Sequence, residues 1–315
     1  MNAILLAITG WDPLEWDARF RALPSGRDIR LWPDRIGHAA DIAYACVWKP
    51  PHGLLAQFSN LQVIFSLGAG VDALTGDATL PAVPLVRIVD ADLTMRMTEY
   101  VVLQVLTIHR QQRRYNAQQR QRVWRELPQP AACEVAVGVM GLGVLGAAAV
   151  AALSRLGFQV ARWSRTAKRI DGVATFHGSD GLDAFLARSE ILVCLLPSTP
   201  ATDGLLDHAL LRKLRRDGAL GGAYLINAGR GRLQVEADIL AALDDEKLAG
   251  ATLDVFATEP LPETSPFWTH PKVTVTPHAA AASVPSALVA NVLRQIGHFE
   301  RGEPMDNVID RVAGY

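Results

Sequence analysis

The chain has 315 residues, 50% hydrophobic and 20% charged, with 31 Lys+Arg against 32 Asp+Glu for a net charge of -1. This balance excludes general disorder and lacks the basic excess of a dedicated nucleic-acid binder. The length leads one to expect two domains, each with a sizeable core.

Short β-rich runs alternate with helical ones along the whole chain, the pattern of a parallel α/β fold. Residues 1–10 lack a basic n-region and read as a strand, not a signal peptide. In the first third, strands are predicted at 3–8, 28–31, 42–47, 62–65 and 85–89, with Pro13, Pro24, Pro33, Pro50, Pro51, Pro81 and Pro84 between them. One long helix is predicted from 93 to about 121, apolar early (Tyr100, Val101, Leu103, Val105, Leu106) and polar later. Its arginines and those just beyond (Arg110, Arg113, Arg114, Arg120, Arg122, Arg125) read as a solvated face.

The second half alternates more clearly. Strands are predicted at 135–140, 159–163, 191–196, 223–226, 251–255 and 273–276, and helices at 144–156, 236–243 and 285–299. The uncharged run 135–153 is long enough to suggest a membrane span. Gly138, Gly141, Gly143 and Gly146 interrupt it, so it reads as strand, turn and helix. Cys46, Cys133 and Cys194 have neither zinc spacing nor a disulfide framework, which points to a reducing, cytoplasmic setting.

Gly141-Leu142-Gly143-Val144-Leu145-Gly146 is a G-x-G-x-x-G turn that follows a predicted strand and opens a predicted helix. Gly141 permits the tight turn, Gly143 lets the backbone approach a pyrophosphate, and Gly146 lets the helix pack on the strand. The unpaired N–H groups of the helix start, from Val144 and Leu145 onward, would meet the phosphates. An NAD site carries an acidic residue about 20 residues further on. Here the second strand ends in Ser164, Arg165, Thr166, Ala167, Lys168 and Arg169, with no carboxylate. Ser164, Arg165 and Lys168 suit a 2′-phosphate, so NADP is expected over NAD.

Three polar elements follow late strands: Asn227-Ala228-Gly229-Arg230-Gly231, Thr258-Glu259-Pro260 and Thr276-Pro277-His278. Ligands of open α/β sheets bind beyond the carboxyl ends of strands, so all three can converge on one crevice. Arg230, Glu259 and His278 then supply a carboxylate anchor, a partner for the acid/base, and the acid/base itself. The remaining histidines (His38, His52, His109, His177, His208, His270, His298) lack such company and read as structural.

In these segments and others along its length the chain resembles the D-2-hydroxyacid dehydrogenases, and within them the glyoxylate/hydroxypyruvate reductase A type. The resemblance rests on LGAGVD (67–72), RMTEY (96–100), GLGVLG (141–146), WSRT (163–166), LLPSTPAT (195–202), INAGRG (226–231), LDVFATEPLP (253–262) and TPHAAA (276–281). It implies two Rossmann-like parallel-sheet domains facing each other across a cleft. The substrate domain, 1–97 plus 286–315, would be split by an inserted dinucleotide-binding domain, 98–285. It implies that Arg230 binds the substrate carboxylate and carbonyl, that His278 is the acid/base with Glu259 as partner, and that Ala69 and Gly70 offer N–H groups to the carboxylate. Trp48 would border the substrate. Leu196, Pro197, Thr202, Ala228 and Ala280 would lie along NADPH, and Asp254 near its carboxamide. The implied activity is NADPH-dependent reduction of a small 2-oxo acid by a homodimer, without nucleic-acid or membrane partners. A relative of the same fold acting on another 2-oxo acid, and an NADP(H)-sensing protein without turnover, remain open at this point.

Overall fold

A computed structural model of the chain describes residues 2–167 and 172–311. Its first elements are β1 (Ala3–Ile8), α1 (Pro13–Ala22), β2 (Ile29–Leu31), β3 (Ile42–Trp48), β4 (Val63–Ser66), α2 (Asp72–Thr75) and β5 (Leu85–Arg87). Then come α3 (Ala91–His109), α4 (Gln112–Gln121), β6 (Ala136–Met140), α5 (Val144–Arg155), β7 (Gln159–Ser164), β8 (Ala174–His177), α6 (Gly178–Leu186) and β9 (Ile191–Cys194). The chain continues with α7 (His208–Leu211), β10 (Tyr224–Asn227), α8 (Glu236–Asp244), β11 (Gly250–Leu253), β12 (Val273–Val275) and α9 (Pro285–Glu300).

The chain divides into two compact units, residues 1–93 with 283–315, and residues 94–282. The first holds a five-stranded parallel sheet in the order β2-β1-β3-β4-β5. Both faces of this sheet are covered, so its strands are apolar without alternation. In β1 every residue is buried; Ile4, Leu6 and Ile8 join one core, and Ala3, Leu5 and Ala7 the other. Trp16 and Phe20 of α1 and Leu288, Val289, Val292 and Ile296 of α9 pack on the first of these faces. Each such side chain contributes roughly 1.5–3 kcal/mol relative to exposure. The C-terminal helix is also tied back by Glu300, which accepts from Arg27 at 2.6 Å and from the Tyr44 hydroxyl at 3.0 Å.

The second unit holds a seven-stranded parallel sheet in the order β12-β11-β10-β9-β6-β7-β8. Its first strand, β6, is central, and the direction of winding reverses between β6 and β9. In such sheets that reversal opens a crevice at the carboxyl edge. The expected two parallel α/β domains are therefore observed.

Local departures from the expectation have physical causes. The long helix is two helices, because Gln111 takes φ +54 and ends the α-helical run. The break falls where the apolar stripe of α3 (Met97, Val101, Val105) gives way to α4, whose one buried residue is Gln118. Arg113 is not a solvated side chain: it donates to the Lys272 carbonyl at 2.6 Å and to Thr274 Oγ1 at 3.2 Å, while its neighbours Arg110 and Arg114 are exposed. Helix α1 is not expected from the sequence, where Pro13 reads as a breaker; Pro13 is instead the first residue of the helix, after Asp12, whose side chain accepts from the Leu14 N–H. The run 135–153 is β6, a turn and α5, and no helix among the described residues is long and apolar enough to cross a membrane.

Candidate active site

The β6–α5 turn is built by its glycines in three different ways. Gly141 has φ +100, and a Cβ there would lie 2.7 Å from the Leu195 carbonyl oxygen at the end of β9. A Cβ on Gly146 would lie 1.8 Å from the Gly141 carbonyl oxygen, so Gly146 is required by packing. Gly143 is different: a Cβ on it would meet nothing within 4 Å. Packing does not demand this glycine, and its bare backbone leaves room for close approach of a ligand. No side chain caps α5 and no acidic residue sits in its first turn, so its dipole is left for an anion. Val144 is 46% exposed, whereas Gly146 is buried. These features fit a dinucleotide pyrophosphate.

At the end of β7, Ser164 is buried and donates its hydroxyl proton to the Thr166 carbonyl at 2.8 Å. Arg165 is exposed immediately after it. Lys168 lies outside the described residues. Next to β6, Leu196 is buried and Pro197 and Thr202 are half-buried. Thr202 staples their loop, donating to the Pro197 carbonyl at 2.7 Å and accepting from the Thr199 N–H at 2.9 Å. Ala228 is buried one strand further on, and its N–H donates to the Cys194 carbonyl.

The three polar turns follow β10, β11 and β12, neighbours in the sheet. The turn bearing Arg230 is braced from inside. Asn227 is fully buried; its Oδ1 accepts the Gly229 N–H at 3.1 Å, and its Nδ2 donates to Gln234 Oε1 at 2.8 Å and to the Arg230 carbonyl at 3.2 Å. Gln234 in turn donates to the Val255 carbonyl at 3.0 Å. Gly231 packs so closely on Phe256 that a Cβ would lie 1.9 Å from its carbonyl. Arg230 itself is half-buried, with one guanidinium N–H on the Gly229 carbonyl.

Glu259 Oε2 and His278 Nδ1 are 2.8 Å apart, and Glu259 Oε1 accepts the Phe256 N–H at 3.1 Å. The carboxylate is thus anchored on one oxygen and holds the imidazole with the other. His278 sits at φ +53, a left-handed conformation uncommon for a residue with a side chain. Asp254, 1% exposed, holds this turn: its carboxylate accepts the N–H groups of Ala279 at 2.8 Å and Ala280 at 3.0 Å, and its carbonyl accepts that of His278 at 2.8 Å. Ala280 is buried behind it. The geometry therefore brings together an oriented imidazole, a carboxylate partner and, one strand beyond, an arginine.

A family model described as D-isomer specific 2-hydroxyacid dehydrogenase, NAD binding domain, matches residues 102–280. Glyoxylate/hydroxypyruvate reductase A of Yersinia enterocolitica is 41% identical over 307 residues, 96% of both chains. The chain belongs to the D-isomer specific 2-hydroxyacid dehydrogenases. Two solved structures resemble this dehydrogenase over 100% of both chains. One is the NADPH-dependent glyoxylate/hydroxypyruvate reductase of Sinorhizobium meliloti in complex with NADP and sulfate, 46% identical with a TM-score of 0.95. The other is a probable 2-hydroxyacid dehydrogenase of Rhizobium etli in complex with NADP, HEPES and L(+)-tartaric acid, 48% identical with a TM-score of 0.94.

In the dehydrogenase's other unit, Ala69 and Gly70 form a half-buried turn after β4, and Trp48 ends the neighbouring β3. Buried Ser66 directs its hydroxyl at the Gly70 carbonyl, 3.0 Å away, and the Gly68 carbonyl, 3.3 Å away. Trp48 stacks on Trp11 with centroids 4.4 Å apart, and Trp11 on Trp16 at 5.9 Å. On its other flank Trp48 meets Gly68, where a Cβ would lie 1.9 Å from the indole. The bracing residues Ser66, Asn227 and Gln234 escape sequence reasoning, since an amide or hydroxyl one turn away from a motif carries no signal of its burial. Asn227 lies inside the INAGRG segment, and its amide there is the one available hint.

Proposed function

We propose that this dehydrogenase reduces small 2-oxo acids, with glyoxylate and hydroxypyruvate as substrates, to the corresponding 2-hydroxy acids. The observation that carries the reading is the Glu259–His278 pair, 2.8 Å apart at the carboxyl edge of the sheet that also bears the uncapped β6–α5 turn. NADPH, when bound, supplies the hydride that forms the new C–H bond at C2. The residues that hold it are Gly141, Gly143, Val144, Leu145, Gly146 and Arg165, with Leu196, Pro197, Thr202, Ala228, Asp254 and Ala280 along its length. The inserted unit is accordingly the NADP-binding domain and the split unit the substrate domain.

His278 acts as the general acid. Glu259 accepts the proton on Nδ1 and so fixes the ring orientation, which leaves Nε2 for the substrate; in the imidazolium form Nε2 also bears a proton, and that proton passes to the substrate carbonyl oxygen as the hydride arrives, leaving the neutral Nδ1–H ring. Arg230 binds the substrate carboxylate and stabilises charge on that oxygen. The substrate roles of Trp48, Ala69 and Gly70 rest on the family resemblance, and a tryptophan held between Trp11 and Gly68 suits a site for small acids. Preference for NADPH over NADH rests on Arg165 and on the absence of an acidic residue from positions 164–169. The names of the reductases of Yersinia and Sinorhizobium support both the substrate class and the cofactor.

The active species is a homodimer. Trp124 is fully exposed, beside exposed Val123, and Leu103 of α3 is 58% exposed, a set of large apolar side chains that a second copy would cover. The thiols of Cys46, Cys133 and Cys194 are unpaired, in keeping with a cytoplasmic setting. The test is initial rates of NADPH and NADH oxidation with glyoxylate, hydroxypyruvate, pyruvate and phenylpyruvate. Rapid NADPH-linked turnover of the first two is expected. Binding of NADPH without oxidation by any acid would overturn the reading in favour of a sensor.

A further inference from the structure

A buried carboxylate persists only where donors surround it. The Asp254 carboxylate has, besides the Ala279 and Ala280 N–H groups, a third donor: Thr276 Oγ1 lies 2.6 Å from its Oδ1. Behind Thr276 stands Tyr100 of α3, whose hydroxyl is 2.8 Å from Thr276 Oγ1. A contact between two hydroxyls can run in either direction, and here the carboxylate decides it. Asp254 already accepts two backbone N–H groups, so it also accepts from Thr276. Thr276 has one proton, which is then spent, and Tyr100 must donate its own to Thr276. Burial raises the pKa of the Tyr100 phenol, which keeps that proton in place.

The relay ends on an unusual segment. The N–H groups of His278, Ala279 and Ala280 are all tied to Asp254, and His278 is the residue held at φ +53. Strained conformations of this kind persist where the surroundings over-determine them. A relay of hydrogen bonds polarises each of its members, so the outermost hydroxyl strengthens the innermost contact. The Tyr100 ring also packs against a core of the same unit, a role that a phenylalanine would preserve.

We propose that Tyr100 is a positioning residue for the acid/base: through Thr276 and Asp254, its hydroxyl fixes the turn that aims the His278 ring. The proposal rests on the reading of His278 as the general acid. Nothing in the RMTEY segment, where Tyr100 stands, assigns that hydroxyl a role.

The test uses the full-length protein with NADPH and glyoxylate, and the variants Tyr100→Phe, Thr276→Val and their combination. Tyr100→Phe is expected to lower kcat roughly 2- to 10-fold, the worth of one hydrogen bond. KM and the Kd for NADPH should stay within about twofold of wild type, the pattern of a contact that matters in the transition state. The kinetic isotope effect with NADPH deuterated at the transferred position should rise. Thr276→Val should lower kcat further, and adding Tyr100→Phe to it should lower it no more, because the relay is already cut. Amide hydrogen exchange in the peptide covering 276–280 should quicken in Tyr100→Phe while that of β6 is unchanged. Unaltered kcat and exchange, fully additive losses, or a loss confined to the melting temperature would overturn the proposal. If the wild-type protein reduces no 2-oxo acid, the functional reading fails instead, and the exchange measurement still decides the relay: quicker exchange supports it and unchanged exchange sinks it.

Discussion

The β6–α5 turn presents bare backbone, whereas the β10–β12 end of the same sheet presents side chains. At the first, Gly141 and Gly146 are demanded by contacts with main-chain oxygens, whereas Gly143 has open space beside it. At the second, Arg230, Glu259 and His278 stand on turns braced by Asn227, Gln234 and Asp254, all three buried. The glycine end is therefore fragile to any added atom. The side-chain end is fragile to the loss of atoms, often ones that never touch a ligand.

Substitutions at the two ends separate these modes of failure. The largest effect is expected at the side-chain end. Arg230→Ala should lower kcat/KM for glyoxylate on the order of 100-fold or more, with kcat and KM both affected. Steady-state kinetics check this, and a change in KM alone would reduce Arg230 to uniform binding. At the end of β7, Arg165→Ala should weaken NADPH roughly 10- to 100-fold, as expected for a lost charge-assisted hydrogen bond, and leave NADH nearly unchanged. Equal losses for both cofactors, measured by titration, would remove the 2′-phosphate argument.

The glycine end then divides within itself. Gly146→Ala should cost about 1–3 kcal/mol of stability in urea unfolding, because its Cβ has no space beside the Gly141 carbonyl. Gly143→Ala should change stability by less than about 0.5 kcal/mol, since its Cβ meets no protein atom, yet weaken NADPH about tenfold. If Gly143→Ala destabilised the fold while binding NADPH normally, the distinction between a packing glycine and a ligand glycine would be wrong.

The same contrast explains what was legible in the sequence. Glycines at fixed spacing between a strand and a helix announce a backbone site, and the uniformly apolar strands announce a sheet covered on both faces. Arg230, Glu259 and His278 could be found because each follows a strand. Their braces Asn227 and Gln234 could not, because nothing in the sequence shows that these amides are buried and turned on the main chain of the Arg230 turn and on the Val255 carbonyl. The break at Gln111 and the start of α1 at Pro13 turn on single backbone conformations that propensity does not resolve.

The proposed mechanism stands or falls with His278 as the source of the proton in reduction. Its most direct test is single-turnover oxidation of bound NADPH by glyoxylate in His278→Gln, beside a titration of NADPH. The account predicts a rate lower by roughly 100- to 10,000-fold, with NADPH affinity within about threefold of wild type. A rate near that of the wild type would contradict it and move the acid elsewhere in the site.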